Sequence, residues 1–152
     1  MRGSRQQRKE QREAFYKKLE EDNLQQFHSD FPKDPVKAVR ELMPSLIERI
    51  PEKKKEEYWE LAKKSKHFVQ FLEVLLVSST SDLIPKKVLC TQAFFDLVYN
   101  EFPKCLDLFL KIQCFNLRPI IKANYFRIKE RLPETAKLLH KKGYCRQLKS
   151  AR

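Results

Sequence analysis

Residues 35–50 have the sequence PVKAVRELMPSLIERI, and this stretch decides the fold class. Its apolar residues recur at intervals of three and four, at Val36, Val39, Leu42, Met43, Leu46, Ile47 and Ile50. This spacing puts an apolar stripe on one side of an α-helix, whereas a half-buried strand would alternate at every second position. Pro44 interrupts the pattern, and we expect a kink there because proline removes a helical hydrogen bond.

The prolines extend this interpretation along the chain. Proline is tolerated in the first turn of a helix, where the N–H that it lacks would have no partner. Six prolines precede or open an apolar-periodic segment and are predicted helix starts: Pro35, Pro51, Pro85, Pro103, Pro119 and Pro133. We also predict a break near Ser65, a loop over residues 78–82 and a helix C-cap at Gly143.

The sequence therefore predicts an all-α protein of six to eight helices in antiparallel pairs. The arrangement is either a HEAT- or TPR-like helical repeat or an irregular helical bundle, and no repeat consensus is visible. Residues 1–30 are expected to form a charged N-terminal helix, partly disordered. Residues 31–152 are expected to form a single all-α helical domain whose basic part is 111–152. Residues 68–77 are apolar nearly all round and are predicted to be buried.

The composition excludes several classes of protein. The chain has 2 glycines, which are too few for the phosphate-binding loops of Rossmann or P-loop enzymes. The apolar runs are too short to span a membrane and no secretory signal is visible, so we expect an intracellular protein, nuclear or cytoplasmic. Lys53-Lys54-Lys55 is a candidate nuclear-import signal or an exposed helix turn. The 4 cysteines form no C-x-x-C pair and the 3 histidines have no partner pattern, so we expect no catalytic residues, metal or cofactor.

The charge is concentrated at one end of the chain. The formal net charge is +12, and residues 111–152 hold 12 basic and 2 acidic side chains. Such a field costs free energy unless an anion offsets it, and nucleic-acid backbones carry that density of charge. The predicted phosphate contacts are Arg118, Lys122, Arg127, Lys129, Lys141, Lys142 and Arg146. Phe115, Tyr125, Phe126 and Tyr144 lie between these cations and could stack on bases, although we expect Phe115 and Phe126 to lie in the core.

These observations predict a non-catalytic helical module that binds RNA or single-stranded nucleic acid, or another polyanion, through a basic C-terminal surface. The alternative is a helical protein–protein interaction adaptor or scaffold subunit of a larger complex, with an acidic protein as its partner. Exposed apolar side chains among Trp59, Phe68, Phe71 and Leu72 would favour the adaptor. A third alternative is an oligomer in which residues 68–77 pack across chains. The sequence leaves the oligomeric state and the identity of the nucleic acid open.

Residues 92–146 resemble the helical N-terminal arm of the Nibbler family of 3′–5′ exonucleases. The shared residues are Gln92-Ala93, Phe102-Pro103, Leu106, Leu110, Ile112, Leu138-Leu139-His140, Gly143 and Arg146. They are helix-packing residues without a diagnostic motif, and the acidic metal-binding motifs of that family's nuclease domain are not in this sequence. The resemblance implies a helical arm and no nuclease chemistry.

Overall fold

The computed structural model describes residues 2–143, which form ten α-helices and two 3-10 helices without a strand. In chain order the elements are α1 (Arg2–Asp30), α2 (Pro35–Glu41), a 3-10 helix (Pro44–Arg49), α3 (Glu52–Lys63), α4 (Phe68–Leu76), a second 3-10 helix (Ser79–Leu83), α5 (Lys86–Leu89), α6 (Gln92–Glu101), α7 (Pro103–Gln113), α8 (Arg118–Ala123), α9 (Tyr125–Arg131) and α10 (Pro133–Lys141). The prediction of an all-α fold is confirmed.

Proline and its neighbours start the helices as predicted. Pro35, Pro103 and Pro133 are the first residues of α2, α7 and α10. Asp34 caps α2, since its side chain accepts a hydrogen bond of 3.2 Å from the backbone N–H of Lys37. At the other end of the described chain, Gly143 follows α10 with a φ of 90°, a left-handed conformation that suits glycine.

The helices are more numerous and shorter than predicted because three expected helices are divided. Pro44 ends α2 and opens a 3-10 helix instead of kinking a continuous helix. Thr91 separates α5 from α6, and its hydroxyl accepts a hydrogen bond of 3.2 Å from the N–H of Phe94 as an N-cap. Asn124 separates α8 from α9, and its side chain forms a hydrogen bond with Gln92 of α6.

The loop predicted over residues 78–82 is wrong, because a 3-10 helix occupies it. The hydroxyl of Ser78 donates to the carbonyl of Val74 at 3.1 Å and so ties this helix to the end of α4. The buried amide of Gln113 in α7 donates to Ser81 at 2.6 Å and to Asp82 at 2.7 Å. The polar side chains of this segment, which are typical of a solvent-exposed loop, instead form hydrogen bonds to neighbouring helices.

The core contains one face of α4 but not the whole helix. Phe71, Leu72 and Leu75 are at most 3% exposed. Val69, in contrast, is 60% exposed and Val77, which follows the helix, is 44% exposed. The prediction that residues 68–77 are buried all round is therefore wrong. An α-helix packed on one side leaves the opposite side in solvent, whatever its composition.

The helices form pairs that stack along the chain. α6 packs on α7 and α9 on α10, while α7 also contacts both α4 and α10. Cross-links between successive pairs recur at similar separations in sequence: Glu52 with Lys86 (34 residues), Gln92 with Asn124 (32) and Asp107 with Thr135 (28). Stacked units of similar size would produce such a recurrence. A HEAT- or TPR-like helical repeat stays a prediction.

Helix α1 is attached to the rest of the structure by its C-terminal end. Phe27 and Phe31 are 2% and 1% exposed, and the Phe31 ring stacks on Tyr58 of α3 at 4.3 Å between centroids. His28 shares a hydrogen bond with the hydroxyl of the same tyrosine. Residues 4–19 are all exposed. The first two thirds of α1 therefore extend away from the core.

Candidate functional site

The predicted cations lie on α8, α9 and the end of α10. Arg118 and Lys122 are exposed on α8, Lys129 on α9, and Lys141 at the last turn of α10. Lys142, directly after α10, is also exposed. Arg146 lies outside the described residues. Helices α8 to α10 follow one another with single-residue breaks, and we call their exposed residues together with Lys142 the basic surface.

Arg127 is half-buried and its side chain contacts α6. Its guanidinium donates to the carboxylate of Asp96 on α6 at 2.7 Å and to the side chain of Asn124 at 3.2 Å. The same group lies 4.3 Å above the ring centroid of Tyr99, a cation–π contact. The hydrogen bond from Arg127, followed by that from Gln92, lowers the pKa of Asp96, and the bond to Asp96 raises the pKa of Arg127. Arg127 joins α9 to α6, and its charge is compensated there.

Arg131 has a similar structural role, which the sequence did not reveal. Its guanidinium donates to the backbone carbonyl of Tyr99 and lies 3.5 Å from the centroid of that tyrosine ring. Arg127 and Arg131 are four residues apart in α9 and so lie on the same side of the helix. Both arginines therefore contact Tyr99 of α6, although Arg131 is itself exposed.

Phe126 is the unexpected component of the basic surface. Its side chain is 72% exposed, so the prediction that it lies in the core is wrong. Ile128 is fully buried, and two residues along an α-helix correspond to a rotation of about 200°, which turns Phe126 to the opposite side. Lys129 follows Phe126 by three positions and lies beside it on the helix surface. An aromatic ring and a cation are thus presented together to solvent.

Phe115 is also exposed, at 70%, and its predicted core position is wrong as well. It lies in the turn between α7 and α8, directly after the buried Cys114. Leu108 and Ile112 of α7 are 42% and 36% exposed and precede Phe115 by seven and three residues. Leu108 and Ile112 are four residues apart and share one face of α7, and Phe115 follows in the next turn. We call these three exposed side chains the apolar stripe of α7.

Two further cations near the basic surface have acidic partners. Lys111 contacts Asp107 at 3.2 Å, and Lys137 contacts Glu134 at 3.6 Å. Asp107 also accepts a hydrogen bond from Thr135 of α10, which is the main cause of its lowered pKa, and Lys111 lowers that pKa further. These exposed pairs contribute little to stability, but they reduce the local excess of positive charge.

The lysines of the candidate nuclear-import signal lie in the first turns of α3. Lys54 contacts Glu57 at 3.4 Å and lies 5.1 Å from the centroid of the Tyr58 ring, while Lys55 lies 4.0 Å from Glu52. Lys53 is exposed. The run is therefore a helix turn whose cations are partly paired, and nuclear import through it stays a prediction.

No protein-family model, curated protein or solved structure matches this chain. The functional argument consequently depends on the side chains themselves.

Two properties of the described residues bear on the class of site. Within residues 2–143, no group of three or more His, Cys, Asp or Glu side chains could hold a metal ion. None of the helices in that range is both long and apolar enough to cross a membrane.

Proposed function

We propose that the chain is a non-catalytic helical module that binds RNA or single-stranded nucleic acid through the basic surface of α8–α10. The observation that carries the proposal is the exposed ring of Phe126 beside Lys129. Unpaired bases stack on exposed aromatic rings while neighbouring cations contact the adjacent phosphates. A duplex, whose bases are already stacked, would gain only the phosphate contacts.

The proposed phosphate contacts are the exposed members of the predicted set. They are Arg118, Lys122, Lys129, Lys141 and Lys142, together with Arg146, which was predicted from sequence alone. Arg127 is left out because Asp96 already compensates its charge. Phosphate contacts provide affinity without base specificity, so the binding should depend strongly on salt and weakly on sequence.

The test is fluorescence anisotropy with a labelled single-stranded oligouridine RNA and its duplex counterpart, over a range of salt concentrations. Reversing three charges, with Lys122→Glu, Lys129→Glu and Lys141→Glu, should abolish tight binding and reduce the log–log salt slope by about 2. The matched control reverses three exposed lysines on α3 and the segment after it, Lys53→Glu, Lys64→Glu and Lys66→Glu, with the same change in net charge. Unchanged binding in the first variant, or equal loss in both, would contradict the proposed surface.

A protein–protein adaptor is the second candidate, and the apolar stripe of α7 favours it. The residues expected to be exposed in an adaptor do not provide this support, since Trp59, Phe71 and Leu72 are buried. Leu108 and Phe115 provide it instead, because exposed apolar side chains in a row are typical of a helix-binding face. Replacing both by glutamate should remove a protein partner while leaving oligouridine binding intact. The opposite pattern of loss would assign the function to nucleic acid.

A further inference from the structure

The exposed part of α1 carries large apolar side chains at its middle. Phe15 and Leu19 are 65% and 46% exposed. Helices of this size owe most of their stability to the packing of one face, and residues 4–19 of α1 are all exposed. A single exposed leucine is ordinary, but a phenylalanine and a leucine four residues apart form a small contiguous patch. This patch marks a surface for a partner.

The patch borders the attached face of α1 but is left open by it. The attached face contains Asn23, whose side chain donates to the carbonyl of Glu41 at 3.0 Å and accepts from the N–H of Met43 at 2.9 Å. It also contains the buried Phe27. At 100° per residue, Phe15 lies about 120° and Leu19 about 80° from Phe27 around the helix axis, and both side chains are exposed. A second molecule can therefore approach the patch without displacing α2 or α3.

The patch belongs to a longer stripe with the spacing of a coiled-coil seam. Six exposed residues alternate at intervals of four and three: Arg8, Arg12, Phe15, Leu19, Asp22 and Gln26. The stripe is symmetric about its centre. When it is placed antiparallel to a copy of itself, Phe15 meets Leu19, Arg12 meets Asp22 and Arg8 meets Gln26. Such a self-complementary patch is what a two-fold dimer interface requires.

The charges of α1 specify the same orientation. Residues 2–18 hold 7 basic and 2 acidic side chains, and residues 19–30 hold 4 acidic side chains and neither lysine nor arginine. A parallel pair would bring the two basic halves together and the two acidic halves together. An antiparallel pair brings each basic half against an acidic half, and complementary charge selects partner and register.

We propose that α1 is a dimerisation helix that packs antiparallel against α1 of a second copy of this chain. Phe15 and Leu19 form the apolar centre, and a pair between Arg12 and Asp22 flanks it on either side. Residues 8–26 extend over about 27 Å at 1.5 Å per residue. An interface of one helix face lies at the small end of specific interfaces, so the dimer dissociates in the micromolar range.

The proposal is tested on the full chain by sedimentation velocity over a series of micromolar concentrations. The wild type should shift from monomer to dimer, and Phe15→Glu with Leu19→Glu should leave a monomer. An acidic variant (Arg8→Glu, Arg12→Glu) and a basic variant (Glu21→Lys, Asp22→Lys) should each dimerise at least about tenfold more weakly. Mixing these two variants should restore dimers, because each reversed half then faces an opposite charge.

The control is Lys53→Glu with Lys66→Glu, which changes the net charge as the acidic variant does but leaves α1 intact. It should dimerise as the wild type does. A wild type that stays monomeric would overturn the proposal, as would a dimer that survives the Phe15 and Leu19 substitutions. A mixture of acidic and basic variants no more dimeric than either alone would also overturn it. If the wild type is monomeric and the acidic variant loses oligouridine binding, the stripe belongs to the RNA-binding surface instead.

Discussion

Replacing Phe126 by alanine should separate binding from folding at the basic surface. The ring is 72% exposed, so the fold buries only about a quarter of it. For roughly 200 Å² of phenylalanine surface at about 25 cal/mol per Å², the variant loses about 1 kcal/mol of folding free energy. Phe95→Ala is the comparison, because Phe95 is 1% exposed and its truncation should cost about 3–5 kcal/mol.

The expected effect of the Phe126 substitution on binding is larger. Removing one aromatic platform from under a base costs about 1–3 kcal/mol, which corresponds to about a 5- to 150-fold loss of affinity for single-stranded RNA. The salt dependence should stay as in the wild type, because a phenyl ring carries no charge and releases no counterion. The affinity for duplex RNA should change little.

Anisotropy titrations of labelled oligouridine measure this effect, and circular dichroism melts measure stability. Phe126→Trp, which keeps an aromatic face, should bind at least as well as the wild type. Phe126→Leu, which keeps apolar area but no ring, should lose affinity as the alanine variant does. If folded Leu and Ala variants both bind like the wild type, Phe126 is not a base-stacking residue. If the loss comes with a changed salt slope, it arises from displaced cations.

Three further predictions concern the contacts that hold the helices together. Arg127→Lys should lower the melting temperature, because an ammonium group cannot hydrogen-bond to the Asp96 carboxylate and also stack on the Tyr99 ring. Lys129→Arg should change neither the melting temperature nor the affinity for RNA. Thermal melts and fluorescence anisotropy measure these two outcomes. Gln113→Ala should cost about 2 kcal/mol in urea denaturation because it leaves the buried Ser81 hydroxyl without its donor, and an unaffected midpoint would contradict the role given to this amide. Burial, and to a lesser extent Lys54, lowers the pKa of His28 from 6.5. The unfolded chain therefore binds this proton at a higher pH than the folded chain, and the free energy of unfolding should fall as the pH drops below 6.5. Urea titrations on both sides of that pH should show a smaller fall for His28→Gln.

The sequence predicts the helices because the signals for them are local. Proline at a first turn, Asp34 as a cap and Gly143 after the last described helix each act through the backbone within four residues. The spacing of some prolines also matches longer-range contacts. Pro51, Pro85 and Pro119 lie 34 residues apart, close to the separations of 34, 32 and 28 residues between the hydrogen-bonded partners on different helices. Such a spacing is compatible with a helical repeat, which stays a prediction.

The candidate site is harder to predict because its properties depend on how α9 packs against the rest of the fold. Whether a cation is available depends on acids from another helix, as Asp96 shows for Arg127. Whether an aromatic ring is buried depends on which neighbour faces the core, as Ile128 shows for Phe126. The composition shows an excess of positive charge in the C-terminal part of the chain, but it does not show which of these cations contact another helix.

The cations of helix α9 differ by residue type in whether they contact α6. Its two arginines, Arg127 and Arg131, both lie on the ring of Tyr99, at 4.3 and 3.5 Å. The planar guanidinium is weakly hydrated and stacks on aromatic faces, so it suits a contact between helices. Lys129, a strongly hydrated point charge, is on the exposed side with Phe126. Because the arginines fix α9 against α6, the aromatic ring and the lysine are held on a rigid support, and a ligand that binds them need not pay for ordering the helix.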